Sequence, residues 1–501
     1  MNENPPRTTA SAASIPSELL IQIILECVFD HEWQSVEWQE FPWSYTQVCR
    51  YWRDVITTAP QIWKIVTSFG VDADENPRPC MPSDIRRISL HLERTQDSLL
   101  SVSFEDSSHD HDHRPVLQLF VGHSQRWEKA YLVLSEAILA SFLSFNKSCS
   151  FDELISLDIV LSSEGEWEPS LSHTKPFMRA PKLSTVELAW IRLKSIDFPW
   201  CQLSSLSLYN VWLESAHVQD TFSQCASLKH LLLDRVHSED EAHLIPSPIS
   251  LPQLETLLFN PQDETAAIIS SLRIPMLNKL TIQGGRNVLE MTGRCIRQSS
   301  PHNLVFFRIN DFDHQVQNRH GDRENVDAIV GLLELLPSLQ TLELCFPGVN
   351  LRSRSRDDFV GWDIILDRLS VTNPQLCPNL THLHAESFAY SCHTPPLLLK
   401  MLTLRTRASV AHVAADSNLD FLADSGSPGE GSTGSQVTGV SLQRVTIYPR
   451  HGEAPKFLKL FSATDLAALG DLTSGMHFEM AGWPVQQADG DGDGLEQMDD
   501  V

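Results

Sequence analysis

Eight segments of this chain repeat one template, a leading leucine with apolar residues three and five positions later, and such segments bury their apolar side only by stacking on one another. The copies are PKLSTVEL from Pro181, CQLSSLSL from Cys201, ASLKHLLL from Ala226, PQLETLLF from Pro252, PMLNKLTI from Pro275, HNLVFFRI from His302, PSLQTLEL from Pro337 and PNLTHLHA from Pro378, the last ending in a small Ala385. The leucines at 183, 203, 228, 254, 277 and 304 are separated by 20, 25, 26, 23 and 27 residues, and the gaps to Leu339 and Leu380 lengthen to 35 and 41. On a strand, side chains alternate between faces, so the two apolar positions point one way and the intervening residues the other. The longer gaps hold helical patterns: Val326, Ile329, Leu333 and Leu336 share one face, as do Phe359, Trp362, Ile365 or Leu366, and Leu369. The expected fold class is therefore α/β, a solenoid of irregular strand-plus-helix repeats. Residues 87–92 and 129–134 read as degenerate first strands and 442–447 as a late one.

Composition narrows the partners. A chain of 501 residues with 42% hydrophobic content can bury a large core, and its formal net charge of -26 repels phosphate backbones and anionic membrane surfaces. Neither nucleic acid nor membrane is an expected partner. The ten cysteines include no C-x-x-C pair, and read as buried thiols of a reducing compartment. Residues 1–13 lack the apolar stretch of a secretory signal, and eighteen apolar residues never run together. The expectation is a soluble intracellular protein of the cytoplasm or nucleus. Residues 1–14 read as a disordered arm, 414–439 as a disordered Ser/Gly-rich insertion within the repeats, and 488–501 as an acidic disordered tail.

Residues 15–66 follow a different pattern. Leu19, Leu20, Ile23, Ile24 and Cys27 recur at helical spacing behind Pro16, which suits a first turn because its missing N–H is not needed there. A second helix places Val48, Trp52 and Val55 together, and a Trp-rich connection over 31–43 is expected to pack on both helices. The segments Ile15-Pro16-Ser17-Glu18-Leu19-Leu20, Val48-Cys49-Arg50-Tyr51-Trp52-Arg53 and Pro60-Gln61-Ile62-Trp63 resemble an F-box, whose usual form is Pro-x-Glu-Leu-Leu, V-C-x-x-W-R and Pro-x-Leu-Trp. Here Ile62 stands where Leu is commoner, and the helix connection is longer than in compact F-boxes, as in F-box-like proteins of fungi.

Followed by repeats over 86–487 after a linker at 67–85, this order is similar to that of F-box proteins of the leucine-rich-repeat type. The repeats depart from the usual pattern in carrying Ile191, Val211 and Val236 where Asn or Cys is customary. The resemblance implies a Skp-type adaptor, and through it a cullin, bound by Ile15, Pro16, Leu19, Leu20, Ile23, Ile24, Val48, Cys49, Trp52, Arg53 and Trp63. It also implies an unidentified target protein held by the repeats. The alternative is a repeat scaffold working outside any ligase.

The outward strand positions supply the expected target contacts, with Tyr209, Leu232, Leu258, Phe306, Arg308, His382 and His384 foremost because aromatic and Arg side chains dominate interface hot spots. No Gly-rich phosphate loop, G-x-S-x-G elbow or H-E-x-x-H occurs, so no enzyme and no cofactor is expected. His109, His111 and His113 read as a solvated loop, and His382, His384 and Glu386 as polar surface rather than a ligand trio. The run Asp489, Asp491, Asp493 lacks the bidentate Glu of a calcium loop.

Overall fold

The two apolar positions of every template are buried on strands, and this commitment organises the fold seen in the computed structural model. The structure describes residues 15–29, 41–68, 80–106, 112–145, 149–162, 175–238, 247–261, 265–284, 286–310, 319–345, 361–371, 376–388, 390, 392–416, 442–449, 454–473 and 476–480. The fold class is α/β with parallel strands, and the chain divides into two compact units, Met1–Pro275 and Met276–Val501.

The first unit carries α1 (Ser17–Phe29), α2 (Arg50–Thr58), β1 (Ile65–Thr67), α3 (Pro82–Arg94), β2 (Leu100–Glu105), α4 (Arg114–Val121), β3 (Trp127–Leu134) and α5 (Glu136–Phe145). It continues through β4 (Ser156–Leu161), β5 (Thr185–Ala189), β6 (Ser205–Tyr209), β7 (Trp212–Leu213), α6 (Ser215–Gln224), β8 (His230–Ser238), β9 (Ile249–Ser250), β10 (Thr256–Pro261), α7 (Ala266–Ser271) and β11 (Leu272–Arg273). Its sheet runs β1-β2-β3-β4-β5-β6-β8-β10, every pair parallel. The apolar template residues Val186 and Leu188, Leu206 and Leu208, Leu231 and Leu233, and Leu257 and Phe259 are all buried. Strand and helix side chains meet on that side, as where Phe104 of β2 sits edge-on to Phe120 of α4 at 6.1 Å. Each fully buried Leu or Phe contributes roughly 1.5–3 kcal/mol over an exposed one.

The second unit holds β12 (Lys279–Gln283), α8 (Arg286–Ser299), β13 (Phe306–Asn310), α9 (Arg319–Leu333), β14 (Thr341–Cys345) and α10 (Gly361–Leu369). Then come β15 (His382–Phe388), α11 (Thr394–Asp416), β16 (Arg444–Pro449), α12 (Ala454–Leu458), α13 (Ala463–Thr473) and β17 (His477–Met480). Its strands pair in parallel in the order β12-β13-β14-β15-β16-β17. Val326, Ile329 and Leu333 of α9 and Trp362, Ile365 and Leu369 of α10 are buried, as their spacing requires. Arg405 of α11 is buried too, its guanidinium donating to the carbonyls of Leu369, Leu376 and Cys377.

One turn device recurs in the first unit. The residue after the third outward position has a left-handed backbone in three successive copies: Trp190 (φ 59°), Asn210 (φ 49°) and Arg235 (φ 50°). Gly284 (φ 132°) stands at the same template position in the second unit. In the copy between, that position is Pro261, whose ring fixes φ negative. There the ladder slips, so that Pro261 faces Val236 and Arg235 bulges out unpaired. The next residues, Ile191, Val211 and Val236, are buried, so apolar packing fills the place where the leucine-rich-repeat pattern has Asn or Cys.

Several expectations need correction. Residues 87–92 lie within α3 rather than on a strand: Pro82 occupies its first turn and the Asp84 carboxylate accepts from the Met81 backbone N–H at 3.0 Å. The alternation Ile88, Leu90, Leu92 reads equally as i, i+4 helical spacing, and the structure exposes Leu90 while burying His91. The segment at 67–85 is not merely a linker, because Thr67 already pairs with Ser103 in the sheet and α3 begins at Pro82. Of the ten cysteines, all free, only Cys225, Cys295 and Cys377 are buried; Cys27, Cys201 and Cys392 are exposed. His113 is buried at the start of α4 near buried Asp106, at 3.9 Å, so it is not part of a solvated loop. By contrast, 129–134 falls on β3 and 444–447 on β16, in agreement with the sequence reading. The arm at 1–14 and the acidic tail lie outside the described residues, as does the insertion at 414–439 apart from the last turn of α11.

Candidate binding surfaces

The helices near the N-terminus split the candidate adaptor residues into two groups. Leu20, Ile24 and Trp63 are fully or almost fully buried, packed with Phe41, Ile56, Ala59 and Ile62. Trp63 Nε1 donates to the Ile56 carbonyl at 2.7 Å, and the ring meets Trp43 edge-on at 4.9 Å and His91 at 5.0 Å. The Arg94 guanidinium lies 4.4 Å from the centre of the Trp63 ring and 4.7 Å from that of Trp43, a cation–π arrangement that joins α3 to this cluster. Trp52 and Ile15 are half-buried against the same cluster, and Tyr51 Oη donates to the Ile15 carbonyl at 2.7 Å. Cys49 caps α2, its Sγ accepting from the Trp52 N–H at 3.5 Å, while exposed Arg53 donates to the Thr46 carbonyl at 3.0 Å. Pro16 is exposed, its carbonyl accepting from the Leu20 N–H at 3.0 Å.

Leu20, Ile24 and Trp63 are therefore core rather than surface. The second group is open: Leu19 is 56% exposed, Ile23 47% and Val48 54%. Leu19 and Ile23 sit one turn apart on α1, on a stripe next to the one that Leu20 and Ile24 bury. The part of the Trp-rich connection within view, Phe41 and Trp43, packs on the helices as expected; Trp33 and Trp38 lie outside the described residues.

The outward positions of the strands form rows set by the ladder register. In the first unit one row runs Ser103, Tyr131, Asp158, Glu187, Ser207, Leu232, Leu258, and the next runs Glu105, Val133, Val160, Ala189, Tyr209, Asp234, Asn260. Tyr209, Leu232 and Leu258 are half-buried on this face, but Ala189 is buried. Burial and the neighbouring Glu187 push the Asp158 carboxyl up to about 7, and burial raises Glu187 as well. Burial, with Glu187, Asp234 and Asp158 around it, also raises the Tyr209 phenol. Where those strands end, Trp190 leans on Trp212 at 49° with ring centres 6.4 Å apart, and Trp212 stacks on His237 at 5.3 Å.

In the second unit the corresponding rows are Lys279, Phe306, Thr341, His382, Arg444, His477, then Thr281, Arg308, Glu343, His384, Thr446, Glu479, and finally Gln283, Asn310, Cys345, Glu386, Tyr448. The register brings Phe306 and His382 into one row and Arg308 and His384 into the next. Arg308 is held rather than free, its Nε donating to Asn310 Oδ1 at 2.7 Å and its Nη1 lying 3.4 Å from Glu343. His382 Nδ1 is 2.8 Å from the Thr381 hydroxyl. His384 Nε2 is 3.7 Å from Glu386 Oε2, and its ring stands edge-on to Tyr448, whose hydroxyl donates to Glu479 and whose pKa that bond raises to about 12.

The sequence reading missed Cys345 as a companion of His384 and Glu386. It lies 41 positions before Glu386 and meets it only through the β14–β15 register. A recess between α3 and its surroundings, bounded by Phe41, Trp43, Asp84, Arg87 and His91, offers about 20 Å³, room for one water. No helix among the described residues is long and apolar enough to cross a membrane. No family model matches the chain, and no curated protein matches its sequence.

Proposed function

We propose that this chain is the substrate-recognition subunit of a cullin-RING ubiquitin ligase, with the helices of residues 15–66 acting as an F-box toward a Skp-type adaptor. The repeats then form a leucine-rich-repeat solenoid that captures a target protein, and the chain itself performs no chemistry. The supporting observation is the division of labour on α1: Leu20 and Ile24 are spent on the core, while Leu19 and Ile23 stay exposed beside them. An amphipathic helix with a second apolar stripe facing water fits docking of a partner helix through anchors one turn apart. Burying two such side chains at an interface contributes roughly 3–6 kcal/mol before association costs.

The test is co-purification of adaptor and cullin with the full chain carrying Leu19→Asp and Ile23→Asp. Loss of adaptor with an unchanged melting curve is expected. A double variant that still recovers adaptor at the wild-type level excludes this surface. Ile24→Asp serves as the contrast, since a carboxylate in the cluster around Trp63 lowers stability as well as binding.

A further inference from the structure

We propose that Cys345, His384 and Glu386 form a three-ligand site for a borderline-soft divalent cation, Zn²⁺ being the best match. Cys345 of β14 faces Glu386 of β15 in the ladder, and His384 precedes Glu386 by two positions on the same side of the strand. Neighbouring strands lie about 4.8 Å apart and same-face residues about 6.6–7 Å apart, so these three positions are the corners of a triangle that a single ion can bridge. One donor atom from each, a sulfur, an imidazole nitrogen and a carboxylate oxygen, lies within 4.8 Å of the other two.

Ligand atoms around a tetrahedral Zn²⁺ at about 2.0–2.3 Å stand roughly 3.3–3.8 Å apart, so the site needs to close by about 1 Å. Exposed Glu386 can supply that movement by a change of rotamer, while Cys345 and His384, half-buried, stay in place. The mixed sulfur, nitrogen and oxygen set selects Zn²⁺ or Co²⁺ over Ca²⁺ and Mg²⁺, which take oxygen alone. The neighbouring cation, Arg308, is already engaged by Asn310 and Glu343, which limits its repulsion of the ion. Tyr448 walls one side of His384, its hydroxyl turned to Glu479, and half-exposed Glu386 brings water to the site as a fourth ligand. Cys345 binds as thiolate, so one proton passes from its sulfur to the solvent for each ion taken up.

The inference stands on these three side chains and does not depend on adaptor binding. Its test is titration of the chelator-stripped full chain with Co²⁺, followed by absorption spectroscopy. One equivalent is expected to bind, with tetrahedral d–d bands and a near-ultraviolet thiolate-to-cobalt band. Cys345→Ser and His384→Ala are expected to remove the thiolate band or the tetrahedral bands and to weaken binding roughly tenfold or more, while Glu334→Gln, an exposed carboxylate paired with Arg368, binds as wild type. Should Cys345→Ser lose its fold by circular dichroism, the exposed Glu386→Gln carries the same test, with an expected loss of about tenfold. The proposal is overturned if the intact chain shows no sulfur-ligated Co²⁺, or if the band persists in folded Cys345→Ser, which assigns it to exposed thiols such as Cys27, Cys201 or Cys392.

Discussion

His91 and Asp158 are two ionisable groups of the first unit that burial perturbs in ways that oppose each other. His91 Nε2 lies 2.8 Å from the Trp63 carbonyl, and burial, aided by Arg87 and Arg94, lowers its pKa to about 4. Below the unfolded value of 6.5 the unfolded chain takes up a proton that the folded one refuses. Stability from His91 is therefore complete above pH 6.5 and falls by about 3 kcal/mol as pH drops to 4. Asp158, raised from 3.8 to about 7, works the other way: the folded state holds its proton longer, so stability declines as pH rises between those values. Urea unfolding across pH 4–8 should separate them. Relative to wild type, Asp158→Asn is expected to gain on the order of 1–2 kcal/mol at pH 8 and nothing at pH 4, whereas His91→Gln flattens the acid side. Curves for both variants parallel to wild type at every pH would falsify these assignments.

The strand ends show how one element adapts to a residue that does not suit it. Arg235 is exposed, left-handed and skipped by the ladder because Pro261 faces past it. A non-glycine residue in that conformation costs about 1–2 kcal/mol, and the side chain pairs with Asp234 at 3.9 Å at the surface, a contact of small worth. Arg235→Gly should thus raise the stability of the first unit by about 1 kcal/mol, read as a higher urea midpoint with an unchanged slope. The same change at Trp190 is expected to destabilise, since it removes the ring that packs on Trp212. For α1, the reverse logic holds: Leu19 and Ile23 can be replaced at little cost to the fold because burial never included them.

At the scale of the whole molecule, the proposed ligase role separates adaptor docking from target capture. Tyr209→Ala in the first unit and Arg308→Glu in the second are each expected to lower target recovery from cells about tenfold while adaptor recovery stays constant, measured by quantitative mass spectrometry of both. Target recovery unaltered in both variants removes the outward strand face from the proposal. The template strands, their inward and outward faces and the burial of the template leucines were legible in the sequence, because a period of two fixes which side chains point inward whatever the neighbours are. The helical character of 87–92 was not, since apolar residues at 88 and 92 satisfy both periods and the burial of His91 against Trp63 belongs to the helix alone. The candidate adaptor stripe was half legible: helical spacing grouped Leu19, Leu20, Ile23 and Ile24, but the cluster around Trp63 chose which pair to bury. Cys345 meeting Glu386, and Pro261 displacing Arg235, are products of register between strands. Local sequence sets the direction in which a side chain points; only the tertiary ladder sets which distant side chain lies beside it.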